Sequence, residues 1–263
     1  MPSTSRFLIF SAGYNCAAYV ENCIRGVQRQ TLKNYVHIVV DDASTDDTWA
    51  RIEKFKDTRV VAHRNATNKT WLGNAVQYLK PQDEDIVVVL DLDDWLFDET
   101  ALQTLQNEYD QHQCWLTYGD YCEADKLPKS KWIQKIRAAF KMKPKLAGQC
   151  RPLPADVLQR RAFREVPFST SHLRTFKGFL WKAIQPRDLL DWNGQYPAMA
   201  GDVAIMLPML EMCPPGKIRY IRRALCVYNN LNPLNNYKVD CALEQKVEQW
   251  FKEKPKYPVL QKN

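Results

Sequence analysis

The sequence predicts an α/β fold, a mostly parallel central sheet flanked by helices, and three observations carry that prediction. Short apolar runs alternate with helix-patterned segments through residues 1–122, the rhythm of parallel strands joined by crossover helices. The run Ile86-Val87-Val88-Val89-Leu90 is apolar throughout and mostly β-branched, as in a strand buried on both faces. Two expected strands end in carboxylates, Asp41-Asp42 after 36–40 and Asp91-Leu92-Asp93-Asp94 after 86–90, and open α/β sheets bind ligands at such strand ends. With 263 residues, 45% of them hydrophobic, the chain can bury a full core.

The elements follow in order. Residues 7–11 read as the first strand, 17–30 as the first helix and 36–40 as the second strand. In the next helix Trp49, Ile52 and Phe55 recur at a spacing of three; Ser44 or Thr45 can cap its start, and Asp46 and Asp47 favour the first-turn dipole. A strand at 59–62, a helix near 71–79, the strand 86–90, a helix over 99–113 and a fifth strand at 114–118 continue the rhythm. There it stops. Residues 123–168 are basic and punctuated by Pro128, Pro144, Pro152, Pro154 and Pro167, which predicts an irregular insertion with one or two helices, of the kind that covers a site. Within it Trp132, Ile133, Ile136 and Phe140 share one face of a basic helix that either packs on the sheet or lies on an anionic membrane. A strand at 171–176, a helix at 178–184, a turn at Trp192-Asn193-Gly194, a helix opened by Gly201-Asp202, strands at 218–221 and 224–228, and a C-terminal helix over 240–252 complete the reading.

The net charge of +7 is unevenly spread. Residues 126–164 hold twelve Lys or Arg against one acid, Asp156, so that segment carries +11 and the remainder is slightly acidic. Such a field favours a phosphate-bearing or otherwise anionic partner, or simply aids solubility; no nucleic acid is expected. Cys16, Cys23, Cys114, Cys122, Cys150, Cys213, Cys226 and Cys241 form no CxxC pair and no zinc spacing, so reduced thiols are expected. No apolar run approaches the roughly 18 residues that span a bilayer, and 7–10 is too short for a signal core. The expectation is a soluble, cytoplasmic chain, with peripheral membrane contact left open. The N-x-T sequons at Asn65 and Asn68 would matter only on a secretory route.

Three carboxylates leaving one strand end are too costly to desolvate unpaired, and they suit a hard cation, Mn²⁺ or Mg²⁺, shared with phosphate. Two carboxylate-tipped strands suggest one nucleotide and metal site. The ordered series Ser11-Ala12-Gly13-Tyr14-Asn15, Gln30-Thr31-Leu32, Val40-Asp41-Asp42-Ala43-Ser44-Thr45-Asp46, Leu90-Asp91-Leu92-Asp93-Asp94 and Gly201-Asp202 resembles an inverting family 2 glycosyltransferase of the GT-A fold. The likeness covers residues 6–122 and returns near 171–211. It implies one domain over 1–263, with a nucleotide-sugar-binding half at 1–122, the basic irregular insertion at 123–168 and an acceptor-side half with a C-terminal helix at 169–263.

The resemblance also implies roles. Asp42 contacts the base, Asp91 lies by the ribose, Asp93 ligates a divalent cation on the diphosphate with Asp94 behind it, and Ser11, Asn15, Lys69 and Leu92 complete the nucleotide-sugar site. Asp202 is the general base that takes the acceptor hydroxyl's proton during inversion. For Asp42 and Asp202 the plain alternative is helix capping. His172 and Arg174 share one side of a short strand, where the cation meets the diphosphate and the imidazole completes metal ligation or binds the acceptor; a core histidine on a half-exposed strand is the alternative. Trp192 either stacks on a sugar face or is buried. The implied donor is a UDP-sugar in preference to a GDP- or dTDP-sugar, and the implied acceptor a hydroxyl of a glycan or glycoconjugate.

Two rival readings use the same residues. The run from Val89 to Phe97 also resembles the nucleophile loop of haloacid dehalogenase-like phosphohydrolases, with Asp91 as nucleophile, although Trp95 and Met206 stand where that family needs a small residue and a second acid. A nucleotide-sugar or glycan binding module that has lost turnover is the other.

Overall fold

The computed structural model describes residues 5–127 and 150–262. The expected basic amphipathic helix with Trp132, Ile133, Ile136 and Phe140 falls outside the described residues.

Among the described residues one sheet of eight strands is present: β1 (Phe7–Gly13), β2 (Tyr35–Asp41), β3 (Val60–Arg64), β4 (Ile86–Val89), β5 (Trp95–Leu96), β6 (Leu116–Glu123), β7 (His172–Lys177) and β8 (Ile218–Tyr228). Their order across the sheet is β3-β2-β1-β4-β7-β6-β8-β5. The β1–β2, β2–β3, β1–β4 and β6–β8 pairings are parallel, whereas β4–β7, β6–β7 and β5–β8 are antiparallel. The sheet is therefore mixed. Every residue of β4 is buried, as its unbroken apolar run requires, and each such Val or Ile side chain contributes about 1.5–3 kcal/mol on burial.

Register decides where the acids go. Gly13 at the end of β1 pairs with Asp41 at the end of β2, and Phe10 of β1 pairs with Val89 of β4, so the three strand ends open on one edge. A Cβ at Gly13 would lie 2.7 Å from Leu92 Cβ, so the glycine lets the turn after β4 close against β1. Because β7 runs antiparallel beside β4, with Val89 opposite Arg174, its first residues reach the same edge.

Several expectations are revised. The helix placed directly after Thr45 begins at Thr48 and spans Thr48–Glu53, with Asp46 Oδ1 accepting from Thr48 N at 2.9 Å. The two late strands are one, β8, whose pairing with β6 shifts register between Gly119 and Tyr121. Gly119 allows that bulge, since a Cβ there would sit 2.7 Å from Ile221 O. The short strand β5 was not read from the sequence; two residues carry no period, and only the antiparallel partner β8 makes them a strand. The C-terminal helix spans Cys241–Glu253, with the Asp240 side chain accepting from Leu243 N.

Candidate active site

The acid turn after β4 forms the floor of the site. Asp94 is buried and its Oδ1 accepts from Asn229 N at 2.8 Å, which ties the turn to the end of β8. Asp93 Oδ2 accepts from Asn232 Nδ2 at 2.7 Å, on the same loop. Burial first, then the neighbouring Asp94, raises the Asp93 pKa to about 7. Asp94 is likewise held well above the usual carboxylate range by burial and then by Asp91. Crowded acids of this kind gain most from an added cation.

The start of β7 supplies the opposing groups. Arg174 is buried; its Nη2 donates to Asp91 Oδ2 at 3.0 Å, and its Nη1 lies 3.5 Å from Asp202 Oδ2. Asp202, at the second position of the helix Gly201–Met212, also accepts from Ser171 Oγ at 3.1 Å. His172 sits between Tyr121 and Tyr228, with ring centroids 4.8 and 5.1 Å away. Burial, and then the charge of Arg174, lowers its pKa to about 4, so the ring is neutral near pH 7 and its 3.7 Å approach to Asp94 Oδ2 is no ion pair there.

Asp91, Asp94 and His172 each offer a ligand atom within 4.8 Å of the others. Neither His172 ring nitrogen has a hydrogen-bond partner although both are buried. A buried neutral imidazole with an orphaned lone pair beside two carboxylates is the donor set of a divalent cation, so the residues fit one. Asp93 lies outside this group, with its Oδ2 turned to Asn232.

Around Asp42 the loops after β2 and β3 interlock. Asp42 is buried, and its Oδ1 accepts from Asn65 Nδ2 at 2.7 Å and from Lys69 N at 2.9 Å. Asn65 also donates to Asn74 Oδ1 and accepts from Tyr78 OH. A cleft of ≈ 460 Å³ lined by Ala43, Ser44, Arg64, Asn65 and Ala66 opens on one side of this network. Another, of ≈ 480 Å³, runs between Lys69–Gln77 and Gln195–Tyr196. Asn15 joins the loop after β1 to this region: its N donates to Ser44 Oγ, and its Oδ1 accepts from Thr45 N. Among the described residues, three of the six non-glycine residues with positive φ, Asn15, Ala43 and Thr70, lie in or at the end of these loops, and a fourth, Ala200, precedes the helix that carries Asp202. Such conformers cost about 1–3 kcal/mol each and concentrate where ligands bind.

Not every expected side chain reaches the site. Ser11 is fully buried, with Oγ 2.9 Å from His37 Nε2, so its hydroxyl serves the core between β1 and β2. Leu92 is also fully buried, because it packs over Gly13. Lys69 turns its ammonium to Gln77 Oε1 at 2.6 Å, leaving its backbone N–H for Asp42. Trp192 is partly exposed, but Lys246 Nζ stands 4.3 Å over its ring and Trp250 packs edge-on, so one face is taken. Sequence reasoning missed Asn229, Asn232 and Ser171, and the Asn-rich run after β8 was the signal that could have flagged the first two.

Residues 9–147 match the model for Glycosyl transferase family 2, more than half of the chain. The chain belongs to glycosyl transferase family 2. That membership decides against the phosphohydrolase reading of Asp91. A similar protein is the Escherichia coli UDP-Glc:alpha-D-GlcNAc-diphosphoundecaprenol beta-1,3-glucosyltransferase WfaP, 37% identical over 87 residues. That match spans 33% of this chain and 35% of WfaP, well short of the relative's full length. Among solved structures, S. aureus TarS superposes with a TM-score of 0.58 at 17% identity, over 89% of this chain and 38% of TarS. The mannosyltransferase PcManGT from Pyrobaculum calidifontis, solved with GDP-Man and Mn²⁺, does so at 0.50 and 18%, over 90% of this chain and 61% of that one. These likenesses show the fold, an α/β GT-A-like architecture with a mixed sheet flanked by helices.

Proposed function

We propose that this family 2 protein is a metal-dependent, inverting glycosyltransferase that moves a hexose from a UDP-sugar to a hydroxyl of a glycan carried on a lipid diphosphate. One observation carries the division of labour: a single buried guanidinium, Arg174, faces Asp91 on one side and Asp202 on the other. The donor's diphosphate is read against the acid turn, with Asp91, Asp94 and His172 as cation ligands and Asp93 held beside them by Asn232. When bound, a divalent cation neutralises charge developing on the departing diphosphate. Arg174 adds fixed positive charge to the same wall. The base lies in the cleft beside Asp42, Ala43 and Arg64.

Asp202 is the proposed general base. Its Oδ1 accepts from Val203 N and its Oδ2 from Ser171 Oγ, and a carboxylate has about four acceptor sites, so an acceptor hydroxyl can still donate to it. The UDP donor and the lipid-diphosphate acceptor follow the activity for which WfaP is named, and TarS 1-349, solved with UDP-GlcNAc, supports the same nucleotide. A cytoplasmic setting is proposed on the cysteine pattern, which holds no CxxC pair and no zinc spacing. Among the described residues no helix is long and apolar enough to cross a membrane.

A thermal-shift panel of UDP, GDP and dTDP, each with Mn²⁺ and with EDTA, tests the reading. A Mn²⁺-dependent rise with UDP is expected; no rise with any nucleotide would overturn it and favour a module that has lost donor binding.

A further inference from the structure

The loop that holds the acid turn also carries an apolar surface. Four of the seven exposed large hydrophobic side chains among the described residues, Leu231, Leu234, Val239 and Leu243, fall in one stretch just after β8. Four uncovered apolar side chains within thirteen consecutive residues, unlike leucines scattered singly along a chain, mark an interaction segment. Leu243, Val247 and Phe251 occupy one stripe of the helix Cys241–Glu253 at i, i+4 and i+8. Val247 and Phe251 are 3% and 2% exposed, whereas Leu243 is 38% exposed, so the stripe runs out of the core onto the surface.

What adjoins the stripe narrows the partner. One turn on from Leu243, Lys246 extends its ammonium over the exposed ring of Trp192. Tryptophan under a long-stemmed lysine, one helical turn from the uncovered Leu243, is the composition of a membrane interface, where indole sits at headgroup level and the ammonium reaches water. The loop is also bound to the chemistry: Asn232, between Leu231 and Leu234, donates to Asp93, and Asn229 N donates to Asp94.

We propose that Leu231, Leu234, Val239 and Leu243, flanked by Trp192 and Lys246, dock on a lipid bilayer, so that the acid turn faces the layer from which a lipid-linked acceptor is presented. The acceptor part of this inference rests on the proposed function; the docking does not. The apolar side chains enter the acyl boundary, and no transmembrane segment is involved.

Flotation with neutral phosphatidylcholine vesicles tests the docking without help from the basic stretch 126–164. The wild-type chain is expected to float with the vesicles, and L231S/L234S and V239S/L243S each to bind about tenfold more weakly, since each removes two exposed apolar side chains that would enter the acyl boundary. Transfer to a short-chain, water-soluble acceptor is expected to stay unchanged in both variants, while transfer to a long-chain acceptor in vesicles falls. No flotation of the wild type, or flotation that survives all four substitutions, would overturn the proposal. A lowered melting temperature with unchanged vesicle binding would mean that the chain itself covers these leucines, and would overturn it too. The Mn²⁺-dependent UDP shift reports separately on the donor reading.

Discussion

Asp91 and Asp202 lie on two nitrogens of one buried guanidinium, at 3.0 Å from Arg174 Nη2 and 3.5 Å from Arg174 Nη1. Removing the cation leaves two carboxylates facing each other beside Asp94. Arg174→Met is expected to destabilise the fold by about 3 kcal/mol and abolish transfer, with Arg174→Lys intermediate in both. Urea unfolding of the three proteins measures the order; an Arg174→Met protein as stable as wild type would contradict it.

Asp202 and the acids of the turn after β4 are expected to divide the work. Asp202→Asn is expected to retain Mn²⁺-dependent UDP binding and lose transfer by at least about a hundredfold, whereas Asp91→Asn and Asp94→Asn lose the Mn²⁺-dependent binding. Equal loss of nucleotide binding in all three would remove the distinction between base and cation site.

His172 offers a lone pair and no hydrogen bond. His172→Ala is expected to raise the Mn²⁺ concentration needed for nucleotide binding by at least about tenfold, with little change in affinity for UDP in EDTA. An unchanged Mn²⁺ titration would return the ring to the aromatic packing of Tyr121 and Tyr228 alone.

His37 gives the fold a pH dependence away from the site. Burial lowers its pKa to about 3 from the usual 6.5, so it stays neutral in the fold while the unfolded chain takes up a proton below 6.5. The unfolded state then binds more protons, and stability, complete above pH 6.5, falls toward pH 3 by about 1.4 kcal/mol per unit. Denaturant melts of wild type and His37→Gln between pH 4 and 7 should differ by that slope; parallel curves would show that His37 is not the cause.

Glu211 anchors the far end of the helix that carries Asp202. It is fully buried against Arg164, and its Oε2 also accepts from Tyr257 N at 2.9 Å, tying in the C-terminal segment. Glu211→Ala leaves Arg164 buried and unpaired and is expected to cost about 3–5 kcal/mol. Equilibrium unfolding checks it, and a loss below about 1 kcal/mol would show that the carbonyl groups of Phe251, Lys254 and Pro255, which already accept from Arg164, hold it without the carboxylate.

By itself the sequence determined the α/β class, the strand–helix order to residue 122 apart from β5, and the acidic strand ends. Those properties are local: an apolar β-branched run is a buried strand, and acids after it fall at its carboxyl end, whatever it pairs with. The places of Asp42 and Asp91 at strand ends were legible for this reason. Tertiary structure alone decided that β7 inserts antiparallel between β4 and β6, which carries Arg174 to Asp91 and His172 to Asp94. Strand order and direction come from pairings between distant segments, and nothing in a strand's own residues names its neighbour. The same limit hid Asn229 and Asn232, whose partners lie on another strand's turn, and it misplaced Ser11 and Leu92, whose side chains face the core because of how β1 packs.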